Sequence, residues 1–533
     1  MKKLLLLGDE AIGQGALDAG LSGAYGYPGT PSTEIIEYIQ KNSEAIKRNV
    51  HRTWSANEKT ALESALGMSY AGKRVIVTMK HVGLNVAADA YMNSALTGAN
   101  GGVIVAVADD PSMHSSQNEQ DSRFFSKFAL LPAFEPSNQQ EAYDMCFKAY
   151  ELSEKYNLPV MMRITTRLAH SRAGVERKKT IKENKMHLPQ NPDQFMLLPA
   201  FARKKYQHLL SINEDLVKES ENSEFNTYQD GKDKSLGIIV CGLAYNYVME
   251  NLDIEKNNFS ILKISQYPIP RKQIEKISSE CEKLLVFEEG MPLVEEMLKG
   301  YLDKGIKVSG RLDGTLPRAG ELNPQIVRKA LGLSKLESQE IPLVVENRPP
   351  ALCKGCPHID TYKAINEITA KYGKGHVFSD IGCYTLGFLP PYNAISSCVD
   401  MGASISMAIG AADAGFFPAI ATIGDSTFGH SGITGLLDAV ETDSNIVIFI
   451  MDNDTTAMTG MQDSQVNGRI EKICLGIGVP EEHIKVINPL SRNHEENVRI
   501  IQKEIDYTGV SVIIPRRPCI HVYKKSLKKE KNK

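Results

Sequence analysis

The chain has 533 residues, 42% hydrophobic and 23% charged, with a formal net charge of −3, so it is long enough for roughly three or four cores of about 150 residues and is of neither disordered nor fibrous class. Its one pronounced basic cluster, "KKSLKKEKNK" at the C-terminal end, reads as a solvated tail and gives no ground for a nucleic-acid partner. Nine cysteines without a secretion signal argue against a disulfide scaffold and leave thiol, metal or redox chemistry.

The opening "MKKLLLLGDE" has an apolar run of four leucines that Gly8, Asp9 and Glu10 break at once, which predicts a buried first strand rather than a signal peptide. No stretch approaches the ~20 apolar residues of a membrane helix, and the expectation is a cytoplasmic protein with no membrane partner. Apolar runs then alternate with amphipathic ones: "EAIGQGALDAG", "STEIIEYIQKNSEAI", "RVIVTMK", "GGVIVAVADD" and "NLPVMMRITTR". That alternation predicts a mostly parallel sheet covered on both faces by helices over residues 1–175. Residues 176–234 turn polar and charged and read as a connecting segment with some helix. The runs "SLGIIVCGLAY", "FSILKISQYPIP" and "KLLVFEEGMP" predict a smaller α/β domain over 235–340. A third follows over 345–522, with buried-strand candidates "HVFSDIG", "AIATIGD", "NIVIFIMDN" and "VSVIIPRR", and the basic tail fills 523–533. The expected fold class is α/β, with three doubly wound, mostly parallel-sheet domains in series. No repeat of solenoid or propeller length is visible.

The most informative segment runs from Ile423 to Gly460, "IGDSTFGHSGITGLLDAVETDSNIVIFIMDNDTTAMTG". One strand ends at Gly424 and Asp425, a helix carries "GITGLLDAVE", and the next strand ends at Asp452 and Asn453. Adjacent parallel strands end on one edge, where ligands bind, so Asp425 and Asn453 are expected to face one point. A carboxylate, an amide oxygen and a backbone carbonyl are hard ligands suited to Mg²⁺ that also holds phosphate. Gly424, Gly429 and Gly432 would let backbone approach the phosphates, and the following helix would add its dipole. Taken singly, Asp425 and Asn453 are ordinary turn residues. Together they resemble the thiamine-diphosphate signature that begins Gly-Asp-Gly and ends in Asn, with Ser426 in place of its third residue. The resemblance implies Mg²⁺ and diphosphate on Asp425, Asn453 and the carbonyl of Thr455.

Thiamine chemistry also needs a carboxylic acid beside the aminopyrimidine, expected from a different domain. "NEKTALESALG" resembles the pyrimidine-domain signature and assigns that acid to Glu58, a residue that could otherwise simply decorate the first turn of a helix. "YGYPGTPSTE", "TMKHVGLNVAAD", "VADDPSMHSSQNEQDSRFFSKFA", "LCKGCPH" and "DNDTTAMTG" then resemble the α subunit of indolepyruvate:ferredoxin oxidoreductase, over residues 2–522. That resemblance implies oxidative decarboxylation of an aryl 2-oxo acid on thiamine diphosphate, giving an acyl-CoA and reduced ferredoxin. It also implies a smaller β subunit, a dimer of heterodimers, and CoA as co-substrate. Thr30 matches the threonine of the wider family's Tyr-Pro-x-Thr-Pro loop, which contacts substrate and cofactor. His81 and His114 follow strand candidates and are candidates for substrate binding or proton transfer, with structural loop histidines as the alternative.

Oxidation toward ferredoxin proceeds in one-electron steps and requires a nearby carrier. Cys353, Cys356, Cys383 and Cys519 lie on loops of the last domain, and four such thiolates could hold a 4Fe-4S cluster. The distribution resembles the proximal-cluster ligands of two-subunit 2-oxoacid:ferredoxin oxidoreductases. Structural zinc and buried free thiols stay open, and Cys398 or Cys474 could replace one of the four. The family's α subunit usually continues into a ferredoxin-like module, for which no cysteine follows Cys519. A non-redox thiamine decarboxylase or carboligase with structural cysteines, and a non-catalytic thiamine-binding partner, are the competing functions.

Overall fold

Unbroken apolar runs become central strands: all six residues of Val75–Lys80 and all seven of Val103–Asp109 are buried, as strands flanked by helices on both faces require. The computed structural model describes residues 3–189, 194–252, 258–301, 305–334, 342, 344–345, 351–398 and 400–531. The expected boundary at 340 and the two residues at each end of the chain lie outside them. The protein is α/β with several mostly parallel sheets, divided into two units, Met1–Gln339 and Glu340–Lys533.

In the first unit a seven-stranded sheet runs Gln266–Tyr267, Ala133–Phe134, Val160–Thr165, Val103–Asp109, Val75–Lys80, Gly23–Gly26, His51–Trp54. Its neighbours are parallel except Gln266–Tyr267, which pairs antiparallel with Ala133–Phe134. A five-stranded sheet runs Lys307–Ser309, Lys283–Phe287, Asp233–Cys241, Phe259–Ile264, Tyr228–Gln229, parallel but for its last strand. The segment between the sheets forms a helix of 23 residues, Pro199–Glu221. The first strand is less buried than its leucines predict. Lys3–Leu7 joins only an antiparallel ribbon with Arg172–Glu176, so one face stays open; Leu6 alone is buried and Leu5 is 66% exposed. Helix Gly8–Asp18 packs on helix Gln139–Tyr156 through Gly15, where a Cβ would come within 2.5 Å of the Tyr143 carbonyl.

A buried ionic network joins the two sheets of this unit. Arg163, in the middle of its strand, donates from Nε to Asp109 Oδ2 at 2.7 Å, pairs with Glu135, and donates from Nη2 to the Glu289 carbonyl at 3.0 Å. Arg123 pairs with Asp121 at 2.5 Å and Glu288 at 3.1 Å, and both arginines are buried.

The second unit holds a wholly parallel sheet in the order Val377–Ser379, Ala419–Gly424, Ile446–Met451, Val510–Pro515, Ile484–Ile487. Alternate residues fill two cores: Ile423, Ile448 and Val512 on one face, Ile420, Phe449 and Ile513 on the other. No helix among the described residues is long and apolar enough to cross a membrane.

Removing one side of a buried ion pair costs about 3–5 kcal/mol, so Arg163→Met should destabilise the first unit by that order. Trp54, the chain's single tryptophan, lies in this unit, and urea unfolding followed by its fluorescence reads the effect; an unchanged midpoint would show the network to be energetically neutral.

Candidate functional site

In the second unit the parallel register sets Gly424 opposite Met451, so Asp425, which opens a helix, and Asn453, in the turn after Ile446–Met451, both lie on the C-terminal edge. Asp425 is buried; its Oδ1 accepts from the Ser426 amide at 2.8 Å, while Oδ2 has no hydrogen-bond partner among the described residues. Burial pushes its carboxyl up to about 8, only partly opposed by the Ser426 amide. Asn453 Oδ1 accepts from the Thr455 amide at 3.2 Å, and Thr455 Oγ1 donates to the Gln462 carbonyl at 2.9 Å. Ser426 Oγ meets Thr456 Oγ1 at 2.7 Å, so the serine in the signature's glycine position ties the two loops without covering Asp425 Oδ2. An orphaned, buried carboxylate oxygen beside amide and carbonyl oxygens fits a hard divalent cation. A Cβ at Gly424, Gly429 or Gly432 would come within 2.6, 2.9 or 2.6 Å of Tyr384, Val466 or Ile423, so each glycine also lets a neighbouring side chain pack closely.

The cysteines gather beside this motif. The Cys519 amide donates to the Asn453 carbonyl at 3.0 Å, and the Cys356 amide to the Cys353 carbonyl at 2.9 Å. Burial raises the Cys383 thiol, and Cys356, Cys519, Asp425 and Cys353 add to the shift. Cys356 is pushed up to about 11 by burial, with Cys353 and Cys519 contributing. Cys398 instead feels Asp380, and Cys474 packs in the apolar core, so neither joins the group. His358, to which sequence reasoning gave no role, links Cys383 to Asn453. It is buried, which pushes it down to about 4, and its Nε2 lies 3.2 Å from Cys383 Sγ and 3.3 Å from Asn453 Nδ2. Its place directly after the Cys-x-x-Cys pair, in "CPH", was the available signal. Cys353 Sγ in turn lies 3.2 Å from His521 Nε2.

In the first unit Glu58 opens helix Glu58–Tyr70, whose start Asn57 fixes by accepting from the Thr60 amide at 2.9 Å. Its buried carboxylate lies over Gly83, where a Cβ would come within 2.4 Å of Oε1. His81 begins the helix after Val75–Lys80 and is buried, with no hydrogen-bond partner for either ring nitrogen among the described residues. Thr30 lies in the loop after Gly23–Gly26, its carbonyl accepting from Ser115 Oγ at 3.0 Å. Glu58, His81 and Thr30 thus all follow strands at the C-terminal edge. His114 follows the parallel strand Val103–Asp109 at that edge too, but its half-exposed ring turns to Glu321, at 3.1 Å. Lys80 was missed. This buried residue ends its strand, donates to the Ser115 carbonyl at 2.7 Å, and is pushed down to about 8 by burial, with Asp110 opposing. A lysine at a strand end reads as solvated in sequence, and only the fold shows it covered.

Residues 14–228 match the family model "Pyruvate flavodoxin/ferredoxin oxidoreductase, thiamine diP-bdg", and residues 380–488 match "Thiamine pyrophosphate enzyme, C-terminal TPP binding domain". The 2-oxoglutarate:ferredoxin oxidoreductase of Magnetococcus marinus superposes on 62% of this chain and 65% of its own, with a TM-score of 0.51 and 15% identity, a likeness of fold. The two family models mark a thiamine-diphosphate-dependent oxidoreductase subunit, and the superposition adds the fold alone. "Indolepyruvate oxidoreductase subunit IorA" of Archaeoglobus fulgidus is 40% identical over 99% of this chain and 88% of its own length, and that of Pyrococcus abyssi 39% over 97% and 86%. The chain belongs to that IorA family.

The raised Asp425 carboxyl sets a pH dependence. Its folded value of about 8 lies above the unfolded value of about 3.9, so the folded state holds the proton more tightly and stability falls as pH rises from about 4 to about 8. In cofactor-free protein, Asp425→Asn should therefore gain on the wild type between pH 5 and pH 8 in calorimetric melting temperature; a constant gap would refute the shift.

Proposed function

We propose that this chain is the catalytic α subunit of an enzyme that oxidatively decarboxylates aryl 2-oxo acids of the indolepyruvate type. It works with a smaller β subunit, in a dimer of heterodimers, transferring the acyl group to CoA and electrons to ferredoxin. Asp425, Asn453 and the Thr455 carbonyl hold Mg²⁺, with Gly424 and Ser426 against the diphosphate, and Cys353, Cys356, Cys383 and Cys519 hold a 4Fe-4S cluster. The observation that carries this reading is the hydrogen bond from the Cys519 amide to the Asn453 carbonyl, which sets a cluster ligand beside a diphosphate ligand and so gives electrons a short path.

The bound thiamine diphosphate supplies a nucleophilic carbon and an electron sink for loss of CO2. Glu58, buried and fixed at a capped helix start, holds the proton exchanged with the aminopyrimidine. Lys80 offers its ammonium to the substrate carboxylate, with no carboxylate of the described residues within ion-pair distance, and Thr30 orients the substrate beside it. His81 moves a proton at the reacting oxygen, and His114 acts at the rim with Glu321.

Four thiolates suit a cubane, in which each binds a different iron, as they suit tetrahedral zinc, and the electron transfer of the proposed reaction is what assigns them to the cluster.

Anaerobically purified protein should contain iron and sulfide and absorb broadly in the visible. Cys383→Ala should abolish that absorption and Cys398→Ala keep it; iron-free wild-type protein would instead favour the non-redox decarboxylase. With the β subunit, CoA and a viologen acceptor, Glu58→Gln should lower kcat for indolepyruvate by at least about 100-fold, the usual scale of general acid–base catalysis. Lys80→Met should act differently, raising KM for the 2-oxo acid more than it lowers kcat; an unchanged KM would remove Lys80 from substrate binding.

A further inference from the structure

Asp9, Glu34 and His170 come together in the first unit although 161 positions separate the first from the last. Each offers one ligand atom, and these atoms lie within 4.8 Å of one another; Glu34 Oε2 and His170 Nε2 are 3.7 Å apart. Asp9 is fully buried, and neither of its carboxylate oxygens has a hydrogen-bond partner among the described residues. Such a group is costly unless a proton or a cation meets it. Glu10, its neighbour, is turned away: its Oε2 accepts from the Leu7 amide at 2.8 Å and faces Arg172 at 3.8 Å. Asp9 is the second residue of helix Gly8–Asp18 and Glu34 lies in the first turn of helix Thr33–Lys41, positions where the helix end favours the ionised carboxylate that a metal needs. Glu34 and His170 are each 37% exposed, which leaves the outer side open to an entering ion and to water ligands.

We propose that Asp9, Glu34 and His170 form a binding site for a first-row divalent transition cation. One imidazole and two carboxylates suit Mn²⁺, Fe²⁺ or Zn²⁺, whereas Mg²⁺ and Ca²⁺ prefer oxygen alone. Ligands about 2.1 Å from an octahedral ion lie roughly 3 Å apart, so small side-chain rotations close the observed triad. The ion would clamp together helices Gly8–Asp18, Thr33–Lys41 and Thr166–His170. Glu34 follows Thr30 by four positions, so the clamp stiffens the loop that presents Thr30. This site is separate from the diphosphate motif and does not rest on the reaction proposed above.

The probe is Mn²⁺, titrated into the full chain after chelator treatment, without thiamine diphosphate, with free ion read by electron paramagnetic resonance. Mn²⁺ binds thiolates poorly, which silences the cysteines. Wild type should bind an ion that Zn²⁺ displaces. Asp9→Asn and the surface variant His170→Gln should each weaken it at least about tenfold, the scale seen when a metal site loses a supporting group, with unchanged circular dichroism. Asp425→Asn should retain the ion. Failure of the wild type to bind Mn²⁺, retention by Asp9→Asn and His170→Gln, or loss on Asp425→Asn alone would each overturn the proposal; in the last case the ion belongs to the diphosphate motif.

Discussion

The parallel pairing of Ala419–Gly424 with Ile446–Met451 is the constraint on which the site in the second unit depends. Both strands are wholly buried and their side chains alternate between two cores, so slipping the register by one residue would turn each apolar set to the wrong face. The same register fixes where the strands end. Asp425 and Asn453 therefore owe their proximity to the packing of Ile420, Ile423, Ile448 and Phe449, residues that touch no ligand. The site needs no large conformational outlay of its own, because the sheet has already spent the entropy of aligning it.

The first unit uses the same geometry with a different fastening. The loops that carry Thr30, Glu58 and His81 leave a sheet whose central strands are mostly apolar, yet Arg163 lies buried among them. A lone guanidinium there would be untenable; Asp109, Glu135 and the Glu289 carbonyl make it bearable. Since Glu135 follows a strand of the first sheet and Glu288 and Glu289 follow a strand of the second, the charge network ties the loops of one sheet to those of the other.

Much of this was legible in the sequence, and what was not has identifiable physical causes. Val103–Asp109 and Ile446–Met451 are continuous apolar runs, the signature of strands buried on both faces, and both were found. Ile484–Ile487 was missed because only its last residue is buried, so the run lacks that signature. Gln266–Tyr267 is two residues long and gains its identity only by pairing with Ala133–Phe134. The site divides likewise. Asp425, Asn453 and Cys383 sit in motifs whose spacing carries information, whereas Lys80, Arg163 and the triad of Asp9, Glu34 and His170 acquire their meaning from burial and from partners far away in sequence. Lys3–Leu7 was overestimated, since four leucines in a row cannot reveal that a two-stranded ribbon covers one face only.

The hydrogen bond between the Cys519 amide and the Asn453 carbonyl, together with His358 bridging Asn453 and Cys383, joins the segments that carry Cys383, Asn453 and Cys519 into one mechanical piece. Between Cys519 and Asn453 a displacement is passed on through backbone alone, and between Cys383 and Asn453 through the buried ring of His358. The surroundings of the thiols and those of Asn453 are therefore not independently adjustable, and a sequence change that retunes one is felt in the other.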